Sequence, residues 1–280
     1  MEENVFGFIF GALTFLLFIL VFIILGVKIA ALSFQYFLFN LLGTNPFRHF
    51  EFKTKNMEPS HERILLNNFK YYKSMPRDLQ PVFKNRVAKF IESKSFETRQ
   101  KITLNDEMKV LVSACAVQLT FGLADYRFLH FERILIYPEA YYSTITKKFH
   151  KGEVNSRGLI VLSWRDFKAG YSDPHDNLNL GLHEFAHALF INFQKNKIDC
   201  MNFERYYQHW RDIGDREFFK MRGRKQNYLR QYGATNLMEF FSVSVEHFFE
   251  APNAFKQNLP ELYKVLSRFL AQDPTKWMKA

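Results

Sequence analysis

LGLHEFAHAL, Leu180 to Leu189, is the stretch on which the reading of this chain turns. Within it, His183-Glu184-Phe185-Ala186-His187 sets two histidines four residues apart, with a glutamate directly after the first. Apolar periodicity predicts a helix over Leu178 to Gln194, preceded by a turn at Asp173-Pro174-His175-Asp176-Asn177. Residues four apart stack on one helix face, so both imidazoles can reach a single metal ion. Glu184 lies beside that face, placed to take a proton from a water that a metal such as zinc acidifies. Gly181 and Ala186 are small and let backbone or substrate come close. Two histidines and a glutamate also meet at this spacing by chance. Against chance stands the apolar helix, where three unpaired polar groups would be costly to bury.

A catalytic zinc takes three protein ligands and keeps one position open. No histidine follows His187 closely, so the third ligand is sought as a carboxylate on a later helix. Leu237 to Phe249 reads as that helix, capped by Thr235 or Asn236. Its sequence NLMEFFSVSVEHFFE offers Glu239, Glu246 and Glu250. Glu239 and Glu246 are seven apart and share a face. Spacing leaves the choice between them open, and the other can orient a ligand histidine from behind; a surface glutamate is the plain alternative for either. Tyr232, just ahead of this helix, can donate a hydrogen bond to an oxyanion, although for one of 13 tyrosines ordinary packing is the reading the residues alone favour. No spacing supports His175, His209 or His247 as ligands.

Outward from the motif, the 280 residues suit one domain of about 200 residues with an appendage. Hydrophobic residues make up 48 % and charged ones 24 %, enough for a packed core. The net charge of +10 comes from scattered Lys and Arg, which points away from nucleic acid and is compatible with an anionic membrane surface. Cys115 and Cys200 lack CxxC spacing, which excludes a disulfide scaffold and a cysteine zinc site; reduced thiols are expected. Helices are predicted at Glu62 to Tyr72, Pro81 to Ser93, Glu107 to Phe121 (opened by a Thr103/Asp106 capping box) and Pro260 to Ala271. Pro252 stands past the end of the glutamate helix. RILIY, Arg133 to Tyr137, and GLIVLSW, Gly158 to Trp164, read as strands. The second can pair its edge with an extended peptide or serve as a plain core strand. The fold class is α+β: a mainly helical metallopeptidase domain with a small sheet.

The N-terminus is of another kind. VFGFIFGALTFLLFILVFIILGV, Val5 to Val27, has no charged residue and exceeds the roughly 20 residues that cross a bilayer. A cleaved signal peptide would begin basic and carry a shorter apolar run, whereas this chain begins with Glu2 and Glu3. Residues 5–27 are therefore read as a transmembrane helix. Residues 28–59 are read as an apolar interfacial segment with Lys28 snorkelling, then a linker with an Asn45-Pro46 turn; a short second span is the alternative. Residues 60–280 form the metallopeptidase domain. Lys28, Arg48, Lys53 and Lys55 follow the span, so a single-pass topology puts the large domain in the cytoplasm.

LGLHEFAHAL, taken with QYGATNLMEFFSVSVEHFFEAP (Gln231 to Pro252), resembles the Mlc titration factor A family of zinc peptidases. So do KSFE (Lys94 to Glu97), LNDEMKVLVSACAVQLTFGL (Leu104 to Leu123), ILIYPEAY (Ile134 to Tyr141) and GLIVLSWRDFKAG (Gly158 to Gly170). The similarity runs from about Glu62 to Trp277. It implies a gluzincin-type, zincin-like fold, bound zinc and aminopeptidase-like hydrolysis of a peptide or protein substrate. It selects Glu239 as the third ligand beside His183 and His187, with Glu184 as base, and gives Tyr232 its oxyanion role. It also implies a protein partner, a transcription regulator captured with little turnover, as the alternative function. Two departures stand out. The family often has an acidic residue where this chain has Phe190, and the membrane segment is foreign to the familiar soluble form.

Overall fold

The computed structural model describes residues 2–42, 49, 51, 53–143, 147–172, 176–195, 200–224 and 226–278. The chain divides into two units, Met1–Arg48 and His49–Ala280. The first is a helix, α1, Glu2–Leu42. Within it Ile9–Ala31, with mean hydropathy 2.9, is long and apolar enough to cross a membrane. The helix runs on past Lys28 through the second apolar stretch. No proline interrupts residues 28–42, so every backbone N–H can find its carbonyl one turn back. The expected Asn45-Pro46 turn lies outside the described residues.

The second unit is mainly helical with a small sheet. It opens with α2, Pro59–Asn68, α3, Lys70–Ser74, and α4, Gln80–Ser93. The single helix predicted over Glu62 to Tyr72 is broken at Phe69, which adopts φ −121°, ψ 93° and is fully buried. The break swings its ring against Phe83 and Tyr171, at centroid distances of 6.2 and 5.1 Å. Burial of one large aromatic outweighs the local propensity for a continuous helix. Strand β1, Ser95–Thr98, leads to α5, Asp106–Thr120. The cap of α5 is Asn105, whose side chain accepts from the Met108 N–H at 2.9 Å, in place of the expected Thr103/Asp106 box. Small and β-branched residues around α5 let neighbours pack on all its sides, and Val110 to Thr120 is buried throughout.

β2, Arg133–Tyr137, pairs in parallel with β1 and with β6, Leu159–Ser163. β5, Gly152–Asn155, pairs antiparallel with β6, giving the order β1-β2-β6-β5. β6 is therefore an interior strand, and the peptide-pairing alternative weighed for GLIVLSW fails; β5 holds that edge of the sheet. A separate hairpin joins β3, Tyr141–Ser143, to β4, Lys148–His150. Trp164, predicted as strand, starts α6, Trp164–Ser172. Then come α7, Leu180–Lys195, α8, Cys200–Arg222, and α9, Leu237–Glu250. α10, Pro252–Asn258, and α11, Pro260–Phe269, close the unit. Pro252 begins α10 at its first turn, where its missing N–H costs nothing, rather than merely marking an end. α8 was not read from the sequence, although Trp210, Ile213, Phe218 and Met221 lie on one helical face of it.

Arg86 anchors the core between α4 and α5. It is fully buried, donates from Nη1 to the carbonyls of Phe121 and Leu123, both at 3.0 Å, and lies over the Tyr126 ring at 4.5 Å. Those carbonyls follow the C-terminus of α5, where a cation is favoured. Arg86→Met should destabilise the domain by about 3 kcal/mol, because buried acceptors lose their donor. A urea titration followed by circular dichroism measures it.

Candidate metal centre

α7 packs on α5, α9, β5 and β6. Its N-terminus is fixed by Asn179, whose Oδ1 accepts from the Leu182 N–H at 2.9 Å. The helix thus begins two residues later than predicted; part of the turn read ahead of it, 173–175, lies outside the described residues. Gly181 faces inward: a Cβ there would stand 2.6 Å from the Phe167 ring and 2.9 Å from Cys115 Sγ. Ala186 is buried as well. Both small residues serve close packing of α7 in the core rather than the approach of a substrate.

α9 is capped by Asn236, which accepts from the N–H groups of Met238 and Glu239 at 2.9 and 3.0 Å. Thr235, the other candidate cap, instead donates its hydroxyl to the Tyr232 carbonyl at 2.7 Å. The cap puts Glu239 in the first turn of α9, facing the two histidines of α7. Glu239 Oε2 lies 2.9 Å from His183 Nε2 and 3.4 Å from His187 Nε2, and the two Nε2 atoms are 3.2 Å apart. Nitrogen and oxygen ligands of one tetrahedral ion, bound at about 2.0–2.1 Å, stand about 3.3 Å from one another. Glu239 Oε2 is buried yet accepts no hydrogen bond of good geometry. Three donor atoms within 3.4 Å of one another, one of them a buried carboxylate oxygen, fit a shared cation. His183, His187 and Glu239 are the group of side chains able to hold a metal ion among the described residues.

The electrostatics agree. Burial opposes a charge on His183, but Glu239 and Glu246 outweigh it and raise its pKa to about 10. Burial raises the Glu239 carboxyl, while the close imidazoles of His183 and His187 override this and hold it far below the usual carboxylate range. The pocket favours positive charge at its centre.

Glu246 does not reach the centre. It accepts from His183 Nδ1 at 2.9 Å, from Arg230 Nη2, and from the Asn179 N–H at 2.7 Å. Donation from Nδ1–H to Glu246 leaves Nε2 as the nitrogen that would face a metal ion, once that ion displaces the Nε2 proton. On the second histidine, Ser242 Oγ sits 3.2 Å from His187 Nδ1. Glu250 stands further back, accepting from Asn179 Nδ2 at 3.0 Å; burial raises its pKa to about 8. Phe190, at the position where the chain departs from the resembled family, packs against Tyr207 and Phe241 at 5.6 and 6.4 Å. Glu246 and Ser242 provide the polar contacts behind the two histidines in its stead. His247 points away, with Nδ1 3.0 Å from the Val243 carbonyl, and His209 lies on α8 outside the cluster; His175 is outside the described residues.

Glu184 is 6 % exposed, and burial pushes its carboxyl up to about 7 against the lowering influence of His183 and His187. β5 crosses directly over it: a Cβ on Gly152 would lie 2.5 Å from Glu184 Cγ and Oε1. Tyr232 sits in a 3-10 turn, Gln231–Ala234, with its ring 5.8 Å from that of His183. Burial, then Glu239 and Glu184, raise its pKa, so the hydroxyl keeps its proton. His183, Glu184, Arg230, Tyr232 and Gly152 line one cavity of about 440 Å³. The sequence reading missed Asn179, Arg230 and Ser242. Asn179 carried a signal, a good cap residue just before an apolar helix; Arg230 and Ser242 carried none.

Two histidines one turn apart on α7, a carboxylate from α9 and a buried glutamate beside them define a metallopeptidase-type site. The sequence pattern of the family described as Glucose-regulated metallo-peptidase M90 matches residues 45–270, and the chain belongs to that family. It is similar to the protein slr2042 of Synechocystis, 26 % identical over 235 residues, covering 78 % of this chain and 86 % of the relative. It is also similar to Mlc titration factor A of Pectobacterium atrosepticum, 26 % identical over 213 residues, covering 68 % and 78 %. Mlc titration factor A of Yersinia pestis (strain Pestoides F) is 29 % identical over 168 residues, covering 53 % and 61 %.

Proposed function

We propose that this chain is a membrane-anchored, zinc-dependent peptidase of aminopeptidase-like activity, with its catalytic domain on the cytoplasmic side. The observation that carries the reading is the convergence of His183, His187 and Glu239 beside the buried carboxyl of Glu184, all in one unit of the chain. Two imidazoles and one carboxylate are a donor set suited to zinc. When bound, zinc supplies a Lewis acid that acidifies water and polarises a peptide carbonyl. Glu184 takes the proton of the attacking water and passes it to the leaving amine, a task suited to a carboxyl poised near neutral pH. Tyr232 donates its O–H to the oxyanion as it develops. Glu246 and Ser242 hold the imidazoles in register.

Ile9–Ala31 supports the anchor by length and composition. At about 1.5 Å per residue, α1 is roughly twice as long as a bilayer core is thick, so its C-terminal part extends beyond the span. The acidic start and the basic residues after the span support the orientation. The relatives named Mlc titration factor A favour a second reading, capture of a protein regulator with little turnover.

Full-length chain in detergent micelles, loaded with zinc, should cleave short peptides. Incubation with a chelator should abolish cleavage, and stoichiometric zinc should restore it. Peptide turnover that persists after complete metal removal would overturn the proposal. Gly152→Ala should lower kcat by about a hundredfold, because the added methyl displaces Glu184 by a sizeable fraction of a bond length; steady-state kinetics at equal zinc content measures this.

A further inference from the structure

We propose that Phe149 forms one wall of a side-chain subsite and makes the enzyme prefer peptides with a bulky apolar residue next to the cleaved bond. The inference rests on the peptidase reading above and names the substrate class for that site. Phe149 is 74 % exposed, an unusual position for a phenylalanine, and it lines the same cavity as His183 and Glu184. It is not loose there. In the β3–β4 hairpin it stands directly opposite Tyr142, and the two rings meet edge to face at 5.4 Å. Leu178, at the approach to α7, and Tyr232 line the same cavity and are also about half exposed. Three separate elements thus present apolar surface to one cleft, whereas isolated exposed apolar residues would be scattered.

The charges nearby are largely spent on one another. Lys151 Nζ lies 2.8 Å from Asp166, and Arg230 is engaged by Glu246. Asp176, also on the lining, accepts from the Leu178 N–H at 2.9 Å. An apolar side chain therefore enters against Phe149, Leu178 and Tyr232 at little cost in hydration, while an acidic one would lose hydration and meet Asp176 and Glu184 on the same lining. A cavity of about 440 Å³ has room for such a side chain together with the peptide backbone beside it.

The test uses the full-length, zinc-loaded chain and two readouts. The first is kcat/KM for matched peptides carrying Phe, Leu, Ala or Glu next to the cleaved bond. The second is binding of phenylalanine hydroxamate against alanine hydroxamate, measured by calorimetry, which needs no turnover. Wild type should favour Phe over Ala on the order of tenfold or more in both. Phe149→Ala should bring the ratio close to one, Phe149→Leu should keep most of it, and Phe219→Ala, another well-exposed aromatic that does not line the cavity, should leave it unchanged. A wild-type ratio within twofold, or one that Phe149→Ala does not alter, overturns the subsite. If peptides are cleaved but the ratios do not respond, the subsite alone fails. If no peptide is cleaved while the hydroxamate ratio responds, the peptidase reading fails and the subsite stands.

Discussion

Glu184→Gln is expected to lower peptide hydrolysis by about 10³- to 10⁴-fold while leaving zinc stoichiometry unchanged. The substitution keeps the size and shape of the side chain and removes only its ability to take a proton. Glu184 touches no metal-ligand atom in the way Glu239 does, so the three donors keep their spacing of 2.9 to 3.4 Å. Folding should survive as well: at 6 % exposure under β5, an amide costs less to bury than a carboxylate. Atomic absorption on the purified variant, alongside single-turnover kinetics, separates the two effects. A variant that retains zinc and full hydrolysis would remove Glu184 from the mechanism. One that complements a deletion strain in cells while hydrolysing nothing would favour the regulator-capture reading.

Glu239→Ala should act on the metal itself. Losing one of three protein ligands should weaken zinc binding by more than about a hundredfold, beyond what loss of an orienting partner costs. Glu246→Gln is the comparison, expected to weaken binding by roughly 10–100-fold, because His183 would lose its orienting carboxylate but keep its lone pair aimed inward. Competition against a fluorescent chelator reads both. Thermal denaturation gives an independent check: a ligand at about a hundred times its dissociation constant stabilises the folded state by about 2.7 kcal/mol, and Glu239→Ala should lose most of that shift at the same zinc concentration. Equal losses for the two variants would mean that the two glutamates had been given the wrong roles.

The distinction between Glu239 and Glu246 shows where sequence stops. Their seven-residue spacing states only that they share a face, two turns apart along the helix axis. Which one meets the histidines depends on how α9 crosses α7, and that crossing is set by the packing of Phe240, Phe241, Val243 and Val245, all buried in the core. The cap at Asn236 then fixes the height of Glu239 relative to His183. Resemblance to a family selected Glu239; spacing did not. Arg230 was equally hidden, because it reaches the site from the loop ahead of α9; Ser242 shares α9 with both glutamates, but no pattern says that a serine there meets His187. β5 escaped notice for a related reason: a four-residue strand with a glycine at its start has too little periodicity to read, yet it covers Glu184.

Local rules carried the rest. The i, i+4 geometry of a helix is enough to bring His183 and His187 to one point, because 3.6 residues per turn returns the fourth residue to the same face. The apolar length of Val5 to Val27 is enough to mark a segment apart from the globular domain, since few other environments accept so long an uncharged run. Tertiary structure decided what depends on distant residues. It bent the helix at Phe69 to bury a ring, placed β6 inside the sheet instead of at its edge, and turned Gly181 toward the core. It also decided the choice that spacing had left open: Glu239 stands in front of the two imidazoles, 2.9 and 3.4 Å from their Nε2 atoms, and Glu246 stands behind His183. Backbone periodicity is a property of a few neighbouring residues, whereas the meeting of α7, α9 and β5 is a property of the packed core.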